Sequence, residues 1–182
     1  MEKDGLMGKN RQRRVRMNAR QFWAALLALW LLFIFGHSMV PAQISSEESG
    51  TLLLILLRLA ERLGIDGAWL TEHILRKLAH FAEYGIYGIL LLINVKNRRR
   101  ERRYSRAGWQ EKAFPLALAV IGVPFVDETI QLFTPGRSGQ IQDVWLDMAG
   151  CMAGLLFAEL FLSLFERRFR QRRSKNTFFE VS

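Results

Sequence analysis

The sequence predicts an all-α integral membrane bundle of four transmembrane helices, with one short interfacial amphipathic helix between the first and second spans. Three observations predict it. Half of the 182 residues are hydrophobic, yet the formal net charge is +9. The apolar residues are gathered into runs of span length, and most basic residues lie between those runs, the layout of a membrane protein and not of a nucleic-acid binder. Basic and non-basic connections also alternate along the chain, as they do when short positive loops stay on one side of a bilayer. The length allows a single domain over 21–165, between a basic N-terminus, 1–20, and a basic tail, 166–182. Cys151 is the single cysteine, so no disulfide framework and no thiolate metal site is available.

A helix that crosses the hydrocarbon core needs about 20 mostly apolar residues, because only a helix satisfies its own backbone there. The first run, Phe22 to Val40, and the last, Val144 to Phe165, meet this easily. The spans are placed at about 22–40, 73–95, 113–133 and 144–165. The second and third carry polar residues that are expensive in lipid: Arg76, Lys77, His80 and Glu83 in one, Asp127, Glu128 and Gln131 in the other. Residues 51–63 are too short to cross and are cut by Arg58, Glu61 and Arg62, so they read as a helix lying in the interface. A cleaved signal peptide is the alternative for the first run. The run is long for that, and Pro41 fits a small-residue cleavage site poorly.

Lysine and arginine placement sets the orientation. Residues 1–20 hold seven basic residues, the 96–112 connection eight and the tail after Glu166 six, whereas 41–72 and 134–142 hold only Arg58, Arg62 and Arg137. Both termini are therefore expected in the cytoplasm, with the protein in the cell membrane. The basic runs read as topology setting and attraction to anionic lipid, and no nucleic-acid partner is expected.

In that orientation the polar residues of all four spans reach the outer leaflet. His37 and Ser38 end the first span, and Lys77, His80 and Tyr84 follow one face of the second at i, i+3 and i+7, with Glu83 beside them. Asp127 and Gln131 are four apart, as are Asp143 and Asp147, whose stripe continues as Gly150 and Gly154, a small-xxx-small pattern that lets helices approach closely. A Pro135-Gly136 turn sets Arg137 over the mouth, a planar fork suited to carboxylate or phosphate.

These residues resemble the VanZ-like family, named after a protein linked to resistance to the glycopeptide teicoplanin. The resemblance is carried by Ser38 with Pro41, by Lys77-x-x-His80-Phe81-x-Glu83-Tyr84, by Asp127-Glu128-x-x-Gln131, by Pro135-Gly136-Arg137, and by Asp143, Asp147, Gly150 and Gly154. It covers roughly 22–165 and leaves out both basic ends. Asp147 departs from it, since the family more often has asparagine there, and the second carboxylate makes the pocket more acidic. The resemblance implies an envelope-associated role with no settled biochemical activity.

The functional expectation is a pocket that binds, and in an enzymatic reading modifies, an anionic envelope lipid or lipid-linked wall precursor. Lys77 and Arg137 would hold the anion. His80 with Asp127 or Glu128 would move a proton, and Glu83, Tyr84, Gln131, Asp143 and Asp147 would complete the ligand site. Asp127 and Glu128 point about 100° apart on a helix, so only one of them can face a ligand squarely. The bland alternative is a non-catalytic scaffold whose ion pairs, such as His80 with Asp127 or Glu128, fix helix packing. A small transporter fits less well, because the polar residues stop at one leaflet. His80 with nearby carboxylates lacks a His-Glu-x-x-His signature, so no metal and no cofactor is expected. Ser38 as a nucleophile lacks an elbow or oxyanion signature and reads as a span-end cap. The role of Glu159 and the oligomeric state stay open.

Overall fold

The computed structural model describes residues 18–101 and 109–179. Much of the basic N-terminus, part of the basic connection after the second span and the last three residues lie outside them. Five helices follow in order, α1 (Ala19–Ser38), α2 (Ala42–Arg62), α3 (Glu72–Glu101), α4 (Trp109–Leu132) and α5 (Ile141–Phe179), with no strand among the described residues. Four are long and apolar enough to cross a membrane, over Ala19–Ser38, Glu72–Asn97, Phe114–Leu132 and Ile141–Phe165. These agree with the expected spans to within three residues.

Local chemistry sets the helix ends. Asn18 opens α1 with a capping box, its side chain accepting the Gln21 N–H at 2.8 Å while Gln21 accepts the Asn18 N–H at 3.1 Å. Pro41 has no N–H to continue α1 and stands as the N-cap of α2. Gly64, at φ 67°, closes α2 in a Schellman arrangement in which Ile65 donates to the Ala60 carbonyl and Gly64 to that of Glu61. Thr71 caps α3 through the Ile74 N–H.

α2 is longer than the interfacial helix expected at 51–63. The apolar run alone marks Leu52 onward, whereas the preceding Ala, Gln and Glu residues are good helix formers that carry the helix back to Pro41. Its start is docked, with the Ala42 N–H donating to the Pro135 carbonyl at 3.1 Å and Ser45 buried. α5 likewise runs past its span. At 1.5 Å per residue its 39 residues reach about 58 Å, so the segment expected as a basic tail continues as helix to Phe179.

The core is small. Ile34 of α1, Tyr84, Tyr87 and Leu91 of α3, Val120 of α4, and Cys151 and Leu155 of α5 bury one another. Large apolar side chains such as Leu32, Phe33, Leu118, Phe125, Phe157 and Phe161 point outward, as lipid-facing positions should. The tightest seam joins α3 to α5. A Cβ on Gly150 would stand 2.5 Å from the Phe81 carbonyl oxygen, one on Gly154 would collide with the Gly85 backbone, and one on Gly88 with the Cys151 carbonyl. The Gly150–Gly154 stripe thus meets a matching small stripe, Gly85 and Gly88, and the two backbones touch.

Candidate functional site

The C-terminal ends of α1 and α4 and the N-terminal ends of α3 and α5 lie together, and the polar residues of the spans meet there. Asp127 and Asp147 are 1 % and 0 % exposed. Asp127 accepts a short hydrogen bond from the Ser38 hydroxyl and a longer one, 3.3 Å, from the Gln131 amide. Across from it, His80 Nδ1 lies 3.6 Å from the Asp147 carboxylate, an ion-pair separation too long for a hydrogen bond. Neither Asp147 oxygen has a hydrogen-bond partner among the described residues. Ser38, expected as a span-end cap, therefore ties α1 to α4. His80, expected to meet Asp127 or Glu128 in the packing reading, has Asp147 as its nearest carboxylate partner.

Further pairs surround this floor. Glu83 lies 3.4 Å from His37 Nδ1, and its backbone carbonyl accepts from the Trp30 indole at 3.0 Å, so this one residue joins α3 to α1 twice. The His37 and His80 rings are 6.3 Å apart. Lys77 pairs with Asp143 at 3.5 Å, with both side chains partly open to the cavity. Tyr84 is fully buried between Asp127 and Asp147 on one side and the apolar core on the other. Gln131 is buried with its amide on Asp127.

Asp127 and Glu128 separate as their helical angle requires. Asp127 turns into the floor, while Glu128 accepts the backbone N–H of Gln140 and so fixes the approach to α5. The connection between them is a type II turn: Arg137 donates its N–H to the Thr134 carbonyl, and Gly136 takes the positive φ, 74°, that this turn demands at its third position. The turn delivers the Arg137 side chain to the end of α1, where Nε donates to the Val40 carbonyl at 2.9 Å and Nη2 to the His37 carbonyl at 3.2 Å. Of its five N–H donors, one thus caps α1 at His37 and one holds the connection just beyond it at Val40. Burial pushes this guanidinium below its ordinary pKa, with the Asp127 charge opposing and Arg76 adding to the fall.

Above the floor opens a cavity of about 120 Å³, flanked by Arg76, Lys77, His80, Arg137 and Asp143. Every expected site residue lies at this end of the bundle, although Glu83, Tyr84, Asp127, Glu128 and Asp147 are buried and do not line the cavity. His73 and Gln140, which the sequence reading did not place in the ligand site, also line the cavity. Asn94, buried in α3 and donating to the Trp23 and Leu90 carbonyls, was signalled only by an amide inside an apolar run. Glu159, left open by the sequence, pairs with Lys96 at 2.9 Å far from this site.

No curated protein and no solved structure matches the chain. A family model described as VanZ/LLP1 matches residues 22–162, from the first span through most of the last and across every polar residue of the cluster. The chain is a multi-pass membrane protein that belongs to the VanZ/LLP1 family.

Proposed function

We propose that this protein sits in the cell membrane with both termini cytoplasmic and binds, in the outer leaflet, the anionic headgroup of an envelope lipid or lipid-linked wall precursor. One observation carries the reading: Arg76, Lys77 and Arg137 border a single cavity at the end of an apolar bundle. A cavity of about 120 Å³ suits a phosphate- or carboxylate-sized group. It is well below the roughly 300–1,000 Å³ of pockets that enclose a drug-sized molecule, so the acyl part would stay in the bilayer. The alternating basic connections support the orientation. In an enzymatic version His80 and Asp127, at the floor, would move the proton. Altered glycopeptide susceptibility is the expected cellular consequence, by analogy with the family.

The test is retention of phosphatidic acid, whose headgroup is an anionic phosphate monoester, by the full chain in phosphatidylcholine nanodiscs, followed by native mass spectrometry. Lys77→Gln should weaken retention about tenfold, the loss of one charge-assisted contact of about 1.4 kcal/mol. Equal retention by Lys77→Gln and wild type, or equal occupancy by a zwitterionic lipid, overturns the proposal.

A second reading, the non-catalytic scaffold, is favoured by the Arg137 contacts, since two of its donors are spent on carbonyls at the end of α1 and just beyond it. It predicts that the stability of the bundle, and not lipid retention, follows the charged residues.

A further inference from the structure

We propose that His80, Asp127 and Asp147 form a binding site for a divalent transition-metal ion beneath the cavity. This goes beyond headgroup binding and does not depend on it. One imidazole nitrogen and one oxygen from each carboxylate lie within 4.8 Å of one another, brought together from α3, α4 and α5. Ligands bound tetrahedrally to one metal at about 2.0–2.2 Å stand roughly 3.3–3.6 Å apart, so side-chain shifts of about an ångström close the triangle.

Two independent features point to a cation. Asp147 is 0 % exposed and neither of its oxygens accepts a hydrogen bond among the described residues, a costly state for a carboxylate unless a positive charge meets it. His80 Nδ1, also without a hydrogen bond, is 3.6 Å away, an ion-pair separation that leaves both groups unbonded. The second feature is the support around Asp127. Ser38 and Gln131 both donate to this carboxylate, the outer-shell arrangement that holds a metal ligand in orientation.

The donor set selects the ion. One imidazole and two carboxylates suit Zn²⁺ or Mn²⁺, whereas Mg²⁺ and Ca²⁺ prefer all-oxygen surroundings and soft ions prefer sulfur. His80 lines the cavity while the two aspartates lie behind it, so the ion would enter past His80 and keep a coordination position on the cavity side.

The experiment uses the full chain in detergent, freed of any histidine tag, stripped with chelator and dialysed against Zn²⁺ or Mn²⁺. Metal is measured by mass spectrometry of the digested protein. Wild type should hold about one ion per chain, and Asp147→Asn and His80→Gln should each weaken binding by about 100-fold or more. Glu159→Gln, an acidic change far from the cluster, should bind as wild type does. Ser38→Ala, which leaves all three ligands, should weaken binding about tenfold and guards against misfolding of the ligand variants. A wild-type chain that takes up no metal overturns the proposal, and so does an Asp147→Asn chain that binds as tightly as wild type. Either result leaves the Lys77 lipid test standing, because that test does not involve these three residues.

Discussion

The two halves of the α3–α5 seam solve the same problem in opposite ways. Toward the cavity, α3 and α5 are joined by charge, through Lys77 with Asp143 and His80 with Asp147. One turn deeper they are joined by the absence of side chains, with Gly85 and Gly88 against Gly150, Cys151 and Gly154. Close backbone contact in lipid gains dispersion energy with no polar group to desolvate, so it can carry stability. Buried charges are expensive and contribute little net stability; among the described residues of this seam they lie at the cavity end, the Lys96–Glu159 pair farther along being largely exposed. The difference teaches that the glycine seam holds the frame, whereas the ionic end adds little to it.

The largest effect should come from breaking the seam. Gly154→Leu forces a side chain into the Gly85 backbone, and Gly88→Leu into the Cys151 carbonyl. Each should cost about 3 kcal/mol or more, seen as loss of monodisperse protein or a collapse of Tm. Gly122→Ala, whose new methyl would only touch Leu118 at 3.9 Å, should shift stability by no more than about 0.5 kcal/mol. Equal damage from both substitutions would erase the contrast.

A smaller effect is expected at the floor, where Ser38→Ala removes the donor to Asp127. Interhelical hydrogen bonds in membranes are worth about 0.6–2 kcal/mol, and Tm should fall accordingly. The ionic end is sharpened further by exchanging Lys77 and Asp143. The pair is partly open, so Lys77→Asp alone should cost about 1 kcal/mol or less, and adding Asp143→Lys should recover it. If the ionic end serves a ligand, the double exchange restores Tm but not lipid retention; recovery of both would favour the scaffold. The smallest effect belongs to Glu159→Gln, which breaks an exposed pair with Lys96 and should change Tm by the equivalent of about 0.5 kcal/mol at most.

The spans were legible because hydrophobic length and the cost of bare backbone in lipid are properties of the sequence itself. The gathering of Lys77, His80, Asp127 and Asp147 at one end was legible for a related reason: alternating helices carry a residue's depth with them. Partnership was not legible. Helical spacing gives the face of one rod but not its rotation against the next, so His80 could not be matched to Asp147 rather than Asp127, nor Lys77 to Asp143. The early start of α2 was hidden because apolar content marks where a helix is buried, and residues 42–50 are helical through propensity and docking. Gly85 and Gly88 went unremarked because a small-residue stripe shows its purpose only beside its counterpart.

Arg137 has a consequence for biogenesis. It holds a carbonyl in the last turn of the first helix, at His37, and one just beyond it, at Val40, from 100 and 97 residues further along the chain. During synthesis that chain end is made long before Arg137 exists; the Val40 N–H can already donate to the His37 carbonyl, but the Val40 carbonyl must rely on water or lipid headgroups until the α4–α5 turn arrives. Closure of the first helix therefore waits on the last hairpin, and a chain interrupted before Arg137 would leave the bundle unfinished at its very first segment.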